Sequence, residues 1–188
     1  MHRVTRAVFR LLFGLRISGS SVPAGGAVLA ANHESVLDPF VLGLVTKRPV
    51  RFLAKRELWR FGVVGRTIEA LGGVPVDRGT GDRAAIARLE ELLREDWLVG
   101  VFPQGVVRDA PTWHRGAAKL ALATGTPLVP ILIDGTAKAL SRGRVGLPRL
   151  RVVVGEPIVV EQAKPTIAAA KELTEQLRLA VEALRERE

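Results

Sequence analysis

The sequence of 188 residues contains no cysteine and no tyrosine. Without cysteine the chain has no disulfide, no thiolate metal ligand and no cysteine nucleophile. Aromatic residues make up only 5% of the chain, whereas proteins that bind single-stranded nucleic acid need exposed aromatic rings on which the bases stack. We therefore expect no nucleic-acid partner.

Further patterns are missing from the sequence. No uncharged apolar run reaches the roughly 18 residues that indicate a transmembrane helix, so we expect a chain that does not span a bilayer. Neither a phosphate-binding glycine motif nor the G-x-S-x-G elbow of serine hydrolases occurs. The three histidines, His2, His33 and His114, lack the spacing of metal ligands. The sequence therefore predicts no metal and no cofactor.

What the sequence does contain is enough apolar material for a core and an excess of positive charge. Apolar residues make up 47% and charged residues 25% of the chain, which is typical of one globular domain. The 28 lysines and arginines exceed the 19 acidic residues and leave a net charge of +9. Such a charge attracts phospholipid surfaces, nucleic acid or acidic cofactors, and it does not by itself choose among them.

Residues 1–16 have the pattern of an amphipathic basic helix. On a helical wheel Phe9 and Phe13 fall beside a stripe of arginines, and the opposite stripe is apolar. The members of the apolar stripe are Val4, Ala7, Val8, Leu11, Leu12 and Leu15. Rings and cations on one outer face are typical of a helix at an anionic membrane surface. The alternative is a solvated helix that packs its leucine face on the domain and exposes two phenylalanines incidentally.

The rest of the chain alternates between predicted strands and helices. The strands are expected at residues 27–31, 50–54, 74–76, 97–102, 128–133 and 150–154. The helices are expected at residues 40–46, 58–71, 84–95, 116–124 and from 165 onward, with Ile86 and Ile167 facing inward. This alternation predicts an α/β fold: a single domain with a mostly parallel central sheet flanked by helices.

His33 and Asp38 lie in a polar loop directly after the first predicted strand. In a helix two residues five apart point about 140° away from each other, but in a loop they can meet. A carboxylate that holds one imidazole nitrogen leaves the other free to accept a proton from a hydroxyl. The alternative is that Asp38 only caps the helix starting at Pro39 and that His33 is an ordinary loop residue. Because no serine or cysteine nucleophile motif is present, a hydroxyl activated here would belong to the substrate.

Asn32-His33, followed after four residues by Asp38, resembles the first sequence block of the glycerolipid and lysophosphatidate acyltransferases. Further blocks are similar to those of the family and come in the same order: Lys55-Arg56-Glu57-Leu58, Gly73-Val74-Pro75-Val76-Asp77-Arg78, Phe102-Pro103-Gln104-Gly105, Arg115-Gly116-Ala117-Ala118-Lys119-Leu120-Ala121 and Val129-Pro130-Ile131. Single blocks are weak signals, but several in order identify the chain as a member of this family.

The resemblance implies an acyltransferase domain over residues 17–188. Such a domain moves a fatty acyl chain from acyl-CoA or acyl carrier protein onto the hydroxyl of a lysophospholipid such as 1-acylglycerol-3-phosphate. In that case His33 is the general base, Asp38 orients it, and Arg78 contacts the acceptor phosphate. The other substrate-binding residues that the resemblance implies are Lys55, Gln104, Gly105 and Arg108. With its positive charge, the enzyme is expected to sit peripherally on the cytoplasmic face of the cell membrane.

The third block departs from the usual F-P-E-G-T-R-S of the family. Here Gln104 replaces the glutamate, Val106 and Val107 replace threonine and arginine, and Arg108 comes one position late. Glutamine keeps the shape of glutamate but brings no charge. Two alternatives therefore stay open: an acceptor without a glycerol phosphate headgroup, and a catalytically silent, basic membrane-binding relative.

Overall fold

The computed structural model describes residues 2–70, 72–76, 83–105, 112–141 and 144–186. The helices within these residues are α1 (His2–Phe13), α2 (Asp38–Leu42), α3 (Gly62–Ala70), α4 (Arg83–Arg94), α5 (Gly116–Thr124), α6 (Thr136–Ala139) and α7 (Ile167–Ala183). The strands are β1 (Arg16–Gly19), β2 (Ala27–Ala31), β3 (Val50–Lys55), β4 (Gly73–Val76), β5 (Leu98–Val101), β6 (Leu128–Asp134), β7 (Leu140–Ser141), β8 (Arg144–Val145) and β9 (Arg151–Val154). A 3-10 helix covers Arg56–Arg60.

Seven of these strands form one sheet in the order β1-β9-β6-β2-β5-β3-β4. Strand β2 is parallel to both β5 and β6, and β3 is parallel to both β4 and β5. Strands β6 and β9 form the antiparallel pair, and β1 runs parallel to β9. The predicted α/β fold with a mostly parallel sheet is therefore confirmed. The central strand β2 is buried along its whole length, as expected for a parallel strand with helices on both faces.

Strand direction defines two edges of this sheet. The carboxyl ends of β2, β3, β4, β5 and β6 share one edge, which we call the carboxyl edge; the opposite edge is the amino edge. Arg16 and Asp134 both pair with Arg151, so β1 and β9 begin where β6 ends. The end of α1 therefore also lies at the carboxyl edge.

The side chains of β2 alternate between two hydrophobic clusters, one on each face of the sheet. Val28 and Ala30 belong to the cluster covered by α4, α5 and α7. Ala27, Leu29 and Ala31 belong to the cluster on the face of α1 and α2. This alternation has the period of two residues that strand geometry imposes.

Helix α1 faces the domain with the opposite side from the one predicted. Phe9 and Phe13 pack against the hydrophobic cluster on its side of the sheet, with ring centroids 5.3 Å apart. Val8, Leu11 and Leu12 are exposed, Leu11 to 85%. A helical wheel separates two faces but does not say which one meets the domain; the turn at Gly14, which joins α1 to β1, decides that. The helix also ends at Phe13 rather than at residue 16.

Several element ends differ from the predicted ones. Helix α2 starts at Asp38 and ends at Leu42, and Leu37 takes the N-cap position without a side-chain cap, so Asp38 is not the helix cap. The helix expected at 58–71 is divided between the 3-10 helix and α3. Two isoleucines that were expected to face inward are exposed, Ile86 and Ile167. In each helix a nearby alanine is buried instead: Ala85 in α4 and Ala170 in α7.

The structure also contains elements that the sequence pattern missed. Strand β1 has only four residues with a largely exposed pattern, and β7 and β8 have two each. Segments this short show no hydrophobic periodicity. Within the described ranges, no helix is long and apolar enough to cross a bilayer.

Candidate active site

The candidate site begins where β2 ends, and Asn32 fixes the start of its loop. The Asn32 side chain donates from Nδ2 to the carbonyl of Ile133 at 2.8 Å. Its Oδ1 accepts from the amide of Ile133 at 2.7 Å. The side-chain amide thus takes the place of one more backbone pair between β2 and β6, and the next residue of the loop starts from a fixed position.

His33 and Asp38 meet in this loop, as their spacing predicts. The Nδ1 atom of His33 lies 2.9 Å from Oδ2 of Asp38, whose side chain is completely buried. The same oxygen accepts from the backbone N–H groups of Glu34 at 2.6 Å and of Ser35 at 2.8 Å. These three contacts fix the orientation of the Asp38 carboxyl group.

This contact determines the chemistry of the imidazole. A carboxylate cannot donate, so in the neutral imidazole this contact requires the hydrogen on Nδ1 and leaves the lone pair on Nε2. The His33 ring also stacks on Phe102, with centroids 4.4 Å apart and an angle of 25° between the planes. The imidazole is thus held at one nitrogen and on one face.

Gln104 lies at the back of this loop. Its Oε1 accepts a hydrogen bond from the backbone N–H of His33 at 2.6 Å. Gln104 therefore connects the end of β5 to the histidine itself. Glutamate, which the family usually has at this position, carries an oxygen in the same place. The hydrogen bond therefore does not need the negative charge that Gln104 lacks.

Gly105 and His114 are also neighbours at this point. Gly105 has a left-handed φ of +71°, and a Cβ built there would lie 3.2 Å from Cδ2 of His114. The backbone N–H of His114 donates to the carbonyl of Pro103 at 2.8 Å. A second imidazole thus lies beside the third block, which the wide sequence separation of the histidines did not suggest.

The loop has one further connection that the sequence did not indicate. Glu34 accepts from Asn32 at 3.2 Å and pairs with Arg185, beyond the end of α7, at 3.3 Å. Asn32 belongs to the first sequence block, but the sequence did not indicate its contacts with Ile133 and Glu34. Nothing in the sequence links Arg185 to this loop.

The remaining predicted substrate-binding residues are placed only in part. Lys55 is the last residue of β3 and so lies at the carboxyl edge, where its backbone alone is described. Arg78 and Arg108 lie outside the described residues. In the part of the chain that the structure describes, no group of three His, Asp or Glu side chains is arranged to hold a metal ion.

The fold and this loop agree with the comparisons to known proteins. A family model described as Acyltransferase matches residues 14–134, so the chain belongs to the acyltransferase family. The matched residues include the loop of His33 and Asp38, the strands β2 and β5, and the third block.

Similar proteins indicate which kind of acyltransferase this chain resembles. A 1-acyl-sn-glycerol-3-phosphate acyltransferase of Bacillus subtilis is 28% identical over 158 residues, which cover 81% of this chain and 78% of that protein. The human 1-acyl-sn-glycerol-3-phosphate acyltransferase beta is 33% identical over 66% of this chain but only 48% of its own length. A chloroplastic relative from Brassica napus matches over 42% of its length, so the chain spans less than half of these two larger relatives.

A solved structure gives the same result. The crystal structure of the 1-acyl-sn-glycerophosphate acyltransferase PlsC from Thermotoga maritima matches all of this chain and 79% of that chain, with a TM-score of 0.76 and 25% identity. Together with the relatives, it defines this chain as an acyltransferase enzyme of the glycerolipid, 1-acylglycerol-3-phosphate acyltransferase type.

Proposed function

We propose that this enzyme transfers a fatty acyl group from acyl-CoA or acyl carrier protein to the free hydroxyl of a lysophospholipid such as 1-acylglycerol-3-phosphate. The observation that carries the proposal is the 2.9 Å contact between His33 Nδ1 and the buried Asp38 carboxylate. The contact leaves one basic nitrogen for an acceptor hydroxyl. The names of the similar proteins in bacteria, plants and humans support the same acceptor class.

The reaction is a direct transfer with His33 as general base. Nε2 takes the proton of the acceptor hydroxyl while the hydroxyl oxygen attacks the thioester carbonyl carbon. The tetrahedral intermediate then collapses, the carbon–sulfur bond breaks, and the leaving thiolate takes the proton back from the imidazolium. The acyl group becomes an oxygen ester of the acceptor, and His33 returns to its starting form.

Asp38 serves this reaction in two ways. Its hydrogen bond keeps the proton on Nδ1, so that Nε2 is always the accepting nitrogen. Its charge also stabilises the imidazolium that exists between the two proton transfers. The backbone N–H groups of Glu34 and Ser35 keep the carboxylate in the required orientation.

The enzyme works as a peripheral protein at an anionic membrane surface, and we place it on the cytoplasmic face. The exposed side of α1 carries Val8, Leu11 and Leu12, and Arg10 is exposed on the same helix. Such a helix buries its apolar residues between lipid headgroups while its cations meet phosphates. This assignment replaces the predicted insertion of Phe9 and Phe13, because both rings pack on the domain.

For the acceptor headgroup we propose a phosphate held by Arg78, with Lys55 and Arg108 as further cations. A competing proposal is an acceptor without a glycerol phosphate, which the valines at 106 and 107 favour because they bring no charge to the third block. The contact from Gln104 to His33 weakens that argument in part, since a glutamate is not needed for it. Activity with a neutral lysolipid distinguishes the two proposals.

The experiment is a screen of purified protein with labelled acyl-CoA and labelled acyl carrier protein against lysophosphatidate and neutral lysolipids. We expect lysophosphatidate to be acylated, and Arg78→Ala to raise its KM by roughly 10- to 100-fold, because a charge-assisted phosphate contact is lost. The matched control is Arg178→Ala on the exposed side of α7, where Arg178 pairs with Glu175 and Glu182. An Arg78 effect of equal size on a neutral lysolipid would exclude Arg78 as the phosphate ligand.

A further inference from the structure

The corner between the 3-10 helix and α3 exposes two apolar side chains that are two residues apart in the chain. Phe61 is 64% and Val63 is 81% exposed. Leu58 and Trp59, which precede Arg60 in the 3-10 helix, instead pack against a small buried cluster of β3 and α3. Between Trp59 and Phe61 the apolar side chains therefore change from packed to exposed, and the first exposed one is aromatic.

The backbone of this corner is held on both sides. The N–H of Phe61 donates to the carbonyl of Leu58 at 3.2 Å, and the N–H of Gly65 donates to the carbonyl of Phe61 at 3.0 Å. A Cβ at Gly65 would lie 2.8 Å from the Cα of Trp59, so only glycine lets α3 come this close to the 3-10 helix. The exposed position of Phe61 is thus built into the fold and is not the effect of a loose end.

The charge around the corner is positive. Arg56, Arg60 and Arg66 are exposed around Phe61 and Val63, and the exposed acidic residues of the same stretch are Glu57 and Glu69, so residues 56–69 carry three positive and two negative charges. Exposed rings and aliphatic side chains framed by arginines match the interfacial layer of an anionic bilayer, where apolar groups enter the headgroup region and cations meet phosphates.

The corner follows the carboxyl end of β3 and so lies at the carboxyl edge of the sheet. It follows β3, whereas α1 precedes β1, and the strand that carries His33 at its end lies between these two in the order β1-β9-β6-β2-β5-β3-β4. From β1 to β3 there are five strand spacings, or roughly 24 Å. All three features belong to the carboxyl edge.

We propose that Phe61 and Val63 form a second membrane contact that inserts into an anionic phospholipid bilayer opposite α1. With one contact on each side, the carboxyl edge lies along the lipid surface, and the loop of His33 faces the layer from which a lysolipid acceptor comes. This inference rests on the proposed membrane function, and it adds the orientation of the enzyme on the surface.

The first test places a fluorophore at the corner. Phe61→Trp is mixed with anionic vesicles that contain brominated phospholipid, which quenches the fluorescence of tryptophans inserted in the bilayer. The quenching is compared with that of wild type, in which only Trp59, Trp97 and Trp113 fluoresce. The matched control is Val159→Trp, an 88% exposed position near the start of β6 at the amino edge. We expect added quenching for Phe61→Trp and none for Val159→Trp. Vesicle binding without added quenching at position 61 would overturn the proposal and leave the membrane function intact.

The second test removes the apolar surface. We expect the double variant Phe61→Ser, Val63→Ser to bind anionic vesicles about tenfold more weakly than wild type, because buried apolar area is lost. The amino-edge control, Val159→Ser with Ile167→Ser, is expected to bind as wild type does. Turnover of a water-soluble short-chain acceptor is expected to stay unchanged in both, so a failure of the acyltransferase proposal is visible separately.

Two results would overturn the inference. One is equal vesicle binding of the corner variant and wild type. The other is a dimer in solution that Phe61→Ser disperses, because the corner would then contact a second copy of the chain rather than lipid.

Discussion

The two edges of the sheet use polar contacts for different purposes. At the amino edge, Arg48 donates from Nη1 to the carbonyls of Pro23 at 2.7 Å and Gly25 at 2.9 Å, and from Nη2 to the carbonyl of Asp96. Asp96 in turn accepts from the amide of Gly26 at 3.1 Å. These contacts connect loops to one another and leave no group arranged for chemistry.

At the carboxyl edge two polar contacts hold one residue, His33. Asp38 holds the imidazole of His33, and Gln104 holds its backbone N–H. The contrast is that the amino-edge contacts connect loops only, whereas the carboxyl-edge contacts also hold the histidine that we propose as the general base. Substitutions at the carboxyl edge are therefore expected to change activity, and substitutions at the amino edge to change stability alone.

The largest effect is expected at His33. His33→Ala removes the general base, and turnover should fall by roughly 10²- to 10⁴-fold. The measurement is the initial rate of acyl transfer together with the circular dichroism melting curve. Because His114 lies near Gly105, His114→Ala is the companion variant. Loss of activity in His114→Ala with activity kept in His33→Ala would move the base to the second imidazole.

Asp38→Asn is expected to affect both activity and stability. Turnover should fall by at least about tenfold, because the neutral amide no longer stabilises the imidazolium. The free energy of unfolding should also fall, by about 1–3 kcal/mol, since three N–H groups lose their charged acceptor. Denaturant unfolding and steady-state kinetics measure the two effects. An unchanged rate would make Asp38 a purely structural residue.

A smaller effect on turnover is expected at Gln104. Gln104→Ala leaves the backbone N–H of His33 without its acceptor, and kcat should fall by about tenfold as the loop loosens. Gln104→Glu keeps an oxygen at the same place and should retain more activity than the alanine variant. A change in acceptor KM with kcat unchanged in Gln104→Ala would instead favour a direct contact with substrate, as the family resemblance implied.

At the amino edge we expect almost no effect on chemistry. Arg48→Ala should lower the free energy of unfolding by about 1–3 kcal/mol, because several carbonyls lose a charged donor. The kcat of the folded enzyme should remain as in wild type. Thermal unfolding and kinetics below the melting temperature test this, and a lower kcat at equal folded fraction would show that the two edges are coupled.

The sequence pattern predicted the layers of the fold well because buried parallel strands are continuous apolar runs. Helix α5 at Gly116–Thr124 and strand β2 at Ala27–Ala31 agree with their predicted bounds. The edge strand β1 was missed because four largely exposed residues leave no hydrophobic pattern. The inward face of α1 was wrong because amphipathicity states only that a helix has two sides.

For the site, the sequence by itself determined the local part. His33 and Asp38 are five residues apart in a loop between a strand and a helix, and a connection this short leaves the two side chains within reach of each other. Only the tertiary structure decided what surrounds them. Gln104 and Ile133 stand 71 and 101 positions from their partners, and they reach the loop because parallel strands bring their carboxyl ends to one edge. The sequence alone determines contacts between residues a few positions apart, whereas contacts across the sheet depend on the order and direction of its strands.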